Sequence, residues 1–300
     1  MNQSTDGSGT FTQAPPGFRL PPDLSLGPVR LEIADLGRSV EYYQQILGLR
    51  PLGSTGPRVT MAARHDDTPL VELNERPGAT PMPRRGRLGL YHFALLLPKR
   101  AELGRFLAHL AASGVQPGMS DHLVSEALYL TDPDGLGIEV YADRPRENWR
   151  VEGGAIAMAT DPLDAKGLIA AGGSTPWAGA PAGTRVGHVH LYVGDLEQGA
   201  AFFHTGLGFD RVVLGFPGAL FLSAGGYHHH LGTNTWAAGA PSAKEGDARL
   251  LEWTIQLPTP GDVEGAAGSL ETAGYEVSRE GTDAVATDPW GTRVRITARS

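Results

Sequence analysis

Histidine is the residue type in this sequence that most clearly indicates chemistry. The chain contains 10 histidines and no cysteine, so a bound metal would have to be held by imidazole and carboxylate groups. His188 and His190 lie two positions apart in an apolar segment, and residues two apart on a β-strand share one face. The same spacing separates His228 and His230 at the end of another apolar segment. The spacing therefore predicts two strands that each present a pair of imidazoles.

Four positions form a symmetrical set of candidate ligands. His92 and His188 open equivalent apolar strands, and Glu139 and His230 each fall on the last strand of their unit. Glu139 lies between apolar neighbours, where a carboxylate is costly without a partner. One histidine on a strand is more often a structural residue than a metal ligand. The evidence for a metal site is therefore that equivalent positions in two units all hold residues that can bind a metal. We predict one metal site built from His92, Glu139, His188 and His230.

An internal repeat makes these positions equivalent. Asp35-Leu36 recurs 160 positions later as Asp195-Leu196, and Leu47-Gly48 recurs at the same spacing as Leu207-Gly208. A constant spacing of this kind indicates two homologous halves. Each half divides again into two units, in which an apolar strand is followed by a helical stretch closed by glycine and then by further strands. The four predicted units cover about residues 28–77, 88–143, 186–236 and 249–299.

The remaining segments connect or flank these units. Residues 1–27 are predicted to be a flexible N-terminal tail, without the basic start and apolar core of a secretory signal. Residues 144–185 are rich in Gly, Ala and Pro and are predicted to connect the halves, with a short helix from Ala165 to Ala171. In the second unit, the segment Asp132-Pro133-Asp134-Gly135 has the residue types of a hairpin turn.

Charge and hydropathy exclude several classes of partner. The net charge is −8, with 25 basic and 33 acidic residues, which disfavours a nucleic-acid-binding surface. No apolar run approaches the roughly 20 residues that a membrane helix needs. We expect a cytoplasmic protein with no nucleic-acid or membrane partner, and a homo-oligomer remains open.

Several segments resemble a known superfamily. The whole ordered chain is similar to the vicinal oxygen chelate superfamily, which includes glyoxalase I, bleomycin-resistance proteins and extradiol dioxygenases. The stretches His188–Leu196 and Asp132–Glu139 carry that resemblance. A narrower resemblance, to the bacterial four-module ring-cleaving enzymes that are like catechol 2,3-dioxygenase, is carried by Gly89–Ala94, Asp121–Tyr129, Tyr141–Arg146 and Gly225–His230.

The resemblance implies an α+β fold of four βαβββ modules that form paired half-open barrels. It implies a first domain over 28–143 and a second over 186–300, each with two modules. In the family, the ligands lie on the first and last strands of two cooperating modules, which implies the same four candidates named above. The corresponding positions in the first and fourth modules hold no imidazole and imply a degenerate site closed by a Glu–Arg pair: Pro28, Glu72, Glu252 and Arg295.

The resemblance implies a metal-dependent, extradiol-type ring-cleaving dioxygenase that acts on a catechol or hydroquinone. Its partners would be a small aromatic substrate and dioxygen, and its metal iron(II), with manganese, zinc or nickel as the other metals that suit these ligands. His190 and His228 are predicted to move protons, and Tyr192 to hydrogen-bond a bound oxygen. Two alternatives remain: a glyoxalase-like isomerase or lyase, which four protein ligands would favour, and a non-catalytic drug-binding resistance protein.

Overall fold

The structure, a computed structural model, describes residues 3–5, 11–152 and 154–299. Its strands are β1 (Gln3–Thr5), β2 (Phe11–Gln13), β3 (Ser25–Ile33), β4 (Arg50–Thr55), β5 (Arg58–Ala62), β6 (Pro69–Glu75), β7 (Gly89–Leu96), β8 (Gly118–Asp121), β9 (Ser125–Thr131), β10 (Gly137–Asp143), β11 (Val151–Glu152), β12 (Ala155–Ile156), β13 (Arg185–Tyr192), β14 (Asp210–Val213), β15 (Ala219–Ser223), β16 (Leu231–Asn234), β17 (Arg249–Leu257), β18 (Val277–Glu280), β19 (Asp283–Thr287) and β20 (Arg293–Ala298). The helices are α1 (Leu36–Gln45), α2 (Arg100–Ala112), α3 (Ala165–Gly172), α4 (Leu196–Gly199), which continues as a π-helical segment (Ala200–Gly206), and α5 (Pro260–Thr272). A 3-10 turn covers Arg146–Asn148.

Four units follow one another along the chain, and each consists of one strand, one helix and three strands. They begin at β3, β7, β13 and β17, so the prediction of an α+β fold with four βαβββ modules in paired half-open barrels is confirmed. The residues that begin the helices also repeat between the two halves. Asp35 and Asp195, which are equivalent in the two halves, each accept a hydrogen bond at the first turn of their helix from the backbone N–H three residues on.

Two sheets divide the units between them. The eight strands of the second and third units, together with β1 and β2 of the N-terminal segment, form a ten-stranded sheet in which β7 and β13 pair antiparallel. The first and fourth units form an eight-stranded sheet around the antiparallel pair of β3 and β17. Each sheet therefore takes one unit from each half of the sequence, so the sheets do not follow the two predicted domains, 28–143 and 186–300.

Along the central strands, apolar side chains on one face alternate with histidines on the other. Phe93 of β7 and Val189 of β13 are fully buried in one hydrophobic core that includes residues of both sheets. Side chains of neighbouring positions on a strand point to opposite faces, so His92 and His188 face away from that core. The central strands are thus apolar on one face and carry imidazoles on the other.

The N-terminal segment is ordered over a longer stretch than predicted. Within the predicted flexible tail, 1–27, Leu20 and Leu24 are buried in the core and β3 already begins at Ser25. The backbone N–H of Leu20 donates to the carbonyl of Gly208 at 2.9 Å. The physical reason is the apolar side chains of this segment, which gain stability by covering the third unit. Positions 1, 2 and 6–10 of the tail lie outside the described residues.

The connector contains the predicted short helix, which runs from Ala165 to Gly172 and packs against α2. A Cβ atom on Gly104 of α2 would lie 2.1 Å from the carbonyl oxygen of Leu168, so glycine permits this close approach. The predicted hairpin turn is also present between β9 and β10, where the buried Asp132 carboxylate accepts from the backbone N–H groups of Asp134 and Leu136.

Candidate active site

Three side chains from three adjacent strands converge on one point. His92 on β7, Glu139 on β10 and His188 on β13 are all buried. The Nε2 atoms of His92 and His188 are 3.3 Å apart. The Oε2 atom of Glu139 lies 3.0 Å from Nε2 of His92 and 3.1 Å from Nε2 of His188. The strand order places these ligand atoms within one coordination sphere although the sequence separates them widely.

The chemistry of this triad fits a divalent cation. Burial alone would raise the pKa of Glu139, but His188 and His92 hold it well below its usual range, so the carboxylate is charged. Burial lowers the pKa of His92, so its imidazole is neutral and can donate a lone pair. Across residues 11–152 and 154–299, no arginine or lysine forms an ion pair with Glu139. Two imidazoles and one unneutralised carboxylate are the ligand set of facial sites that leave further positions open.

The fourth predicted ligand, His230, lies apart from the triad. Its Nδ1 atom accepts from the backbone N–H of Ala224 at 3.3 Å and lies 3.1 Å from the Ser223 hydroxyl. It borders a separate cavity together with Arg185 and Tyr227. The structure therefore brings together three of the four predicted ligands and places His230 outside that group.

The strand register explains why His230 is displaced. Glu139 pairs with Ala94 on β10 and β7, and the equivalent pair on β16 and β13 is Gly232 with His190. The position that corresponds to Glu139 is therefore Gly232, two residues beyond His230. A Cβ atom at Gly232 would lie 2.8 Å from the His190 ring, so the glycine leaves space for that imidazole.

The three residues with predicted catalytic roles, His190, His228 and Tyr192, occupy three different environments. His190 is buried beside the triad, with its ring 5.1 Å from that of His92, and its Nε2 atom accepts from Asn234 at 2.9 Å. Burial lowers its pKa well below the usual range. Tyr192 lies farther out, at 4.7 Å from the Tyr91 ring, and borders a neighbouring cavity. His228 is buried behind the triad and is not among the residues that line the cavity there.

A cavity of about 380 Å³ opens in front of the triad and exposes functional groups that the sequence did not assign. His229 lines it, with its ring 4.1 Å from that of His188. His122 and Tyr129 line it too, and the Tyr129 hydroxyl is 2.6 Å from Nε2 of His122. Apolar side chains complete the wall of this cavity: Met119, Met158, Phe216, Phe221 and Trp236.

His229 belongs to a chain of polar contacts that runs away from the cavity. Its Nδ1 atom is 2.8 Å from Nδ1 of His228, and Nε2 of His228 is 2.8 Å from the Asp143 carboxylate. If the carboxylate accepts from Nε2–H of His228, then Nδ1 of His228 is left as an acceptor and His229 must donate from Nδ1. Nε2 of His229 then keeps its lone pair. Burial lowers the pKa of His229 well below its usual range, consistent with a neutral ring.

Comparisons with known proteins agree with this architecture. A family profile described as the Glyoxalase/Bleomycin resistance protein/Dioxygenase superfamily matches residues 25–140 and 185–296. The chain belongs to this superfamily. It is also 42% identical over 259 residues to a protein of Bacillus subtilis (strain 168) named catechol-2,3-dioxygenase, and the match covers 85% of this chain and 90% of that one.

Solved structures of this superfamily show the same fold. A putative dioxygenase from Bacillus subtilis aligns with a TM-score of 0.65 at 15% identity, over 94% of this chain and 86% of that one. A glyoxalase I mutant from Zea mays aligns with a TM-score of 0.56 at 16% identity, over 92% of this chain and 94% of that one. At such identities the likeness concerns the fold alone.

The other pair of modules in this superfamily member holds the predicted Glu–Arg pair. Nε of Arg295 donates to Glu252 at 2.7 Å, and the same guanidinium contacts Asp283 at 3.0 Å and Glu280 at 2.6 Å. An arginine occupies the place where a cation would have to bind. Within the described part of the chain, His92, Glu139 and His188 are the group whose ligand atoms are close enough to share a metal.

The local sequence contained partial signals for the residues that were missed. His122 and Tyr129 lie in the segment that carries the narrower family resemblance, but no role was assigned to them. Strand alternation across the run of three histidines predicts that the side chain of His229 points away from those of His228 and His230, so the sequence pattern assigns it no role. The chain between Ser223 and Leu231 is instead a loop, so strand alternation does not apply to it.

Proposed function

We propose that this protein is a metal-dependent, extradiol-type ring-cleaving dioxygenase that acts on a catechol or hydroquinone. In the proposed reaction, both atoms of dioxygen enter the product and one ring carbon–carbon bond breaks. The observation that carries the proposal is the three-residue site of His92, Glu139 and His188, which faces a cavity with uncoordinated imidazoles. The 42% identity to a protein named catechol-2,3-dioxygenase supports the same assignment.

His92, Glu139 and His188 would hold the metal, with iron(II) as the proposed ion. When bound, the metal would lower the pKa of a coordinated substrate hydroxyl and deliver electrons to dioxygen. Because three protein side chains would hold the metal, further positions would remain open for substrate oxygen and dioxygen. A set of three protein ligands favours this reaction over the glyoxalase-like alternative, for which a fourth ligand would be expected.

The chain supplies proton transfer and orientation. His229 would accept the proton of a substrate hydroxyl at Nε2, because its Nδ1 atom is engaged by His228. The His228–Asp143 pair would keep His229 in the tautomer that allows this. Nδ1 of His122 donates to the carbonyl of Ala159 at 2.7 Å, so the Tyr129 hydroxyl donates to Nε2 of His122 and would accept a hydrogen bond from a substrate hydroxyl. Burial raises the pKa of Tyr129 well above its usual range, so its hydroxyl stays protonated.

The proposal is tested with protein purified without oxygen and reconstituted with iron(II). We expect oxygen uptake, measured with an oxygen electrode, when a substituted catechol or hydroquinone is added, together with the yellow absorbance of a ring-opened product. The zinc-loaded protein serves as the control and should consume no oxygen. Absence of uptake across a panel of catechols and hydroquinones, with turnover of a thiol–aldehyde adduct under nitrogen, would support the isomerase instead.

A further inference from the structure

A second cavity, of about 370 Å³, adjoins the cavity in front of the triad. The two cavities share three lining residues, Tyr91, His92 and Tyr129. The second cavity is otherwise bordered by the loop between β6 and β7, which contributes Arg84, Arg85 and Arg87. A ring bound at the triad would therefore lie next to a space whose far side is formed by arginines.

The lining of this cavity contains no carboxylate, although the chain as a whole carries a net charge of −8. Arg87 is neutralised, since its Nε atom donates to Asp247 at 2.8 Å. Arg84 and Arg85 form no ion pair with any residue in the described ranges, and both side chains are largely exposed toward the cavity mouth. The guanidinium groups of Arg84 and Arg85 are therefore two positive charges at the second cavity that no carboxylate of the described residues neutralises.

The positive charge reaches the wall that the two cavities share. Arg84 and Arg85 line the second cavity together with Tyr91, which belongs to the wall that the two cavities share. Arg85 also lies beside the hydroxyl of Tyr192 on the same side. An anionic group in the second cavity would therefore sit in a favourable potential next to the triad.

The arginine loop is held in place at both ends. The backbone N–H of Met82 donates to Asp134 at 2.7 Å, and that of Leu88 donates to Pro241 at 2.9 Å. Arg85 has a φ of 54°, a left-handed conformation that is unusual for a residue other than glycine. Arg84 and Arg85 line the second cavity between these two anchored ends of the loop.

We propose that Arg84 and Arg85 bind a carboxylate substituent on the aromatic substrate, so that the preferred substrate class is a catechol or hydroquinone with an acidic side chain. This inference rests on the proposed function, because it assumes that the ring binds at the triad. Arginine suits the role, since its guanidinium forms paired, charge-assisted hydrogen bonds with carboxylates. The neutral part of the substrate would occupy the apolar cavity in front of the triad.

The test compares a catechol that carries a carboxymethyl group with the methyl ester of the same compound, which differs mainly in charge. For the iron(II)-reconstituted protein, we expect kcat/KM to be at least ~10-fold higher for the acid, in line with one charge-assisted hydrogen bond. The double variant Arg84→Gln, Arg85→Gln should lose this preference through a higher KM for the acid, with the ester unaffected. The control variant Arg58→Gln, Lys166→Gln, at two exposed positions that line neither cavity, changes the net charge by the same amount and should retain the preference.

Equal kcat/KM values for acid and ester, or a ratio unchanged in the double variant, would overturn the inference. The preference should also weaken as salt is added, because the arginines are exposed. If neither compound supports oxygen uptake, the proposed function fails, but the arginine site can still be judged. Titration calorimetry of the acid and the ester with the same three proteins then decides, and tighter binding of the acid that disappears in the double variant supports the site.

Discussion

The module strands of the two sheets follow the same order, but the side chains at the centres of the two sheets differ. In the sheet of the second and third units, the central strands bring together two imidazoles and a carboxylate around a cavity. In the sheet of the first and fourth units, the equivalent space is filled by Arg295 and its acidic partners Glu252, Glu280 and Asp283. The fold thus provides two places for a metal, and the side chains decide that one place can bind a cation and the other cannot.

The comparison also shows what each arrangement requires. The Arg295 cluster is complete in itself, since every carboxylate there has a guanidinium partner. The triad is incomplete, because its one carboxylate faces two imidazoles and forms no ion pair with an arginine or lysine of the described residues. Buried charges are stable when they are paired or when they coordinate a metal. We therefore expect substitutions in the two sheets to have different consequences: loss of metal in one and loss of stability in the other.

The largest effect is expected for Glu139→Gln. The amide keeps the shape of the side chain but removes the charge that attracts the cation. Because changes in outer-shell partners already reduce metal affinity by 10–100-fold, loss of this ligand should reduce it by at least ~100-fold and abolish activity. Metal content measured by mass spectrometry checks this. Glu252→Gln, the matched change in the other sheet, should leave the metal content unchanged, and normal metal content in Glu139→Gln would contradict the site.

A large effect on turnover, without loss of metal, is expected for His229→Asn. The asparagine side chain can replace the contact at Nδ1 but does not reach the position of Nε2. Removal of a proton-transfer group typically lowers the rate by ~10²–10⁴-fold. Steady-state oxygen uptake together with metal analysis measures both quantities. A variant that keeps wild-type kcat would show that His229 does not move the substrate proton.

A moderate loss of stability is expected for Arg295→Gln. The change leaves the buried Glu252 with weaker partners, chiefly Arg293 at 3.2 Å and Arg30 at 3.9 Å. Leaving one member of a hydrogen-bonded pair poorly satisfied costs about 1–3 kcal/mol of unfolding free energy. Urea denaturation measures this value, and metal content should be unaltered. A variant that bound a transition metal between the first and fourth units would show that the arginine alone prevents binding there.

The smallest effect is expected for His230→Asn. The structure places this side chain outside the triad, and asparagine can take over the hydrogen bond that Nδ1 accepts from Ala224. Metal content should remain at the wild-type level, and kcat/KM should change by less than about twofold. An effect of this size is typical of a substitution away from the active site. Loss of the metal in this variant would show that His230 is a fourth ligand. Four protein ligands would favour the glyoxalase-like reaction over the dioxygenase reaction.

The sequence by itself determined the parts of this protein that depend on local pattern. The 160-residue repeat and the strand and helix periods predicted four units, and residue type and equivalence predicted His92, Glu139 and His188. The resemblance to the superfamily implied a degenerate site closed by a Glu–Arg pair, and Arg295 and Glu252 form such a pair. Such features follow from the alternation of side chains along a strand and from the limited choice of residues that can bind a metal.

The tertiary structure alone decided which strands meet and where loops direct their side chains. Pairing of β7 with β13 is a contact between distant segments, and it places units from different halves of the sequence in one sheet. The loop before β16 turns His230 away from the triad and His229 toward it, an outcome that strand alternation cannot predict. Arg84 and Arg85 can be assigned a role in binding only because the structure places their loop at the cavity beside His92. In each case the deciding quantity is a distance between residues far apart in the chain, which local sequence patterns do not contain.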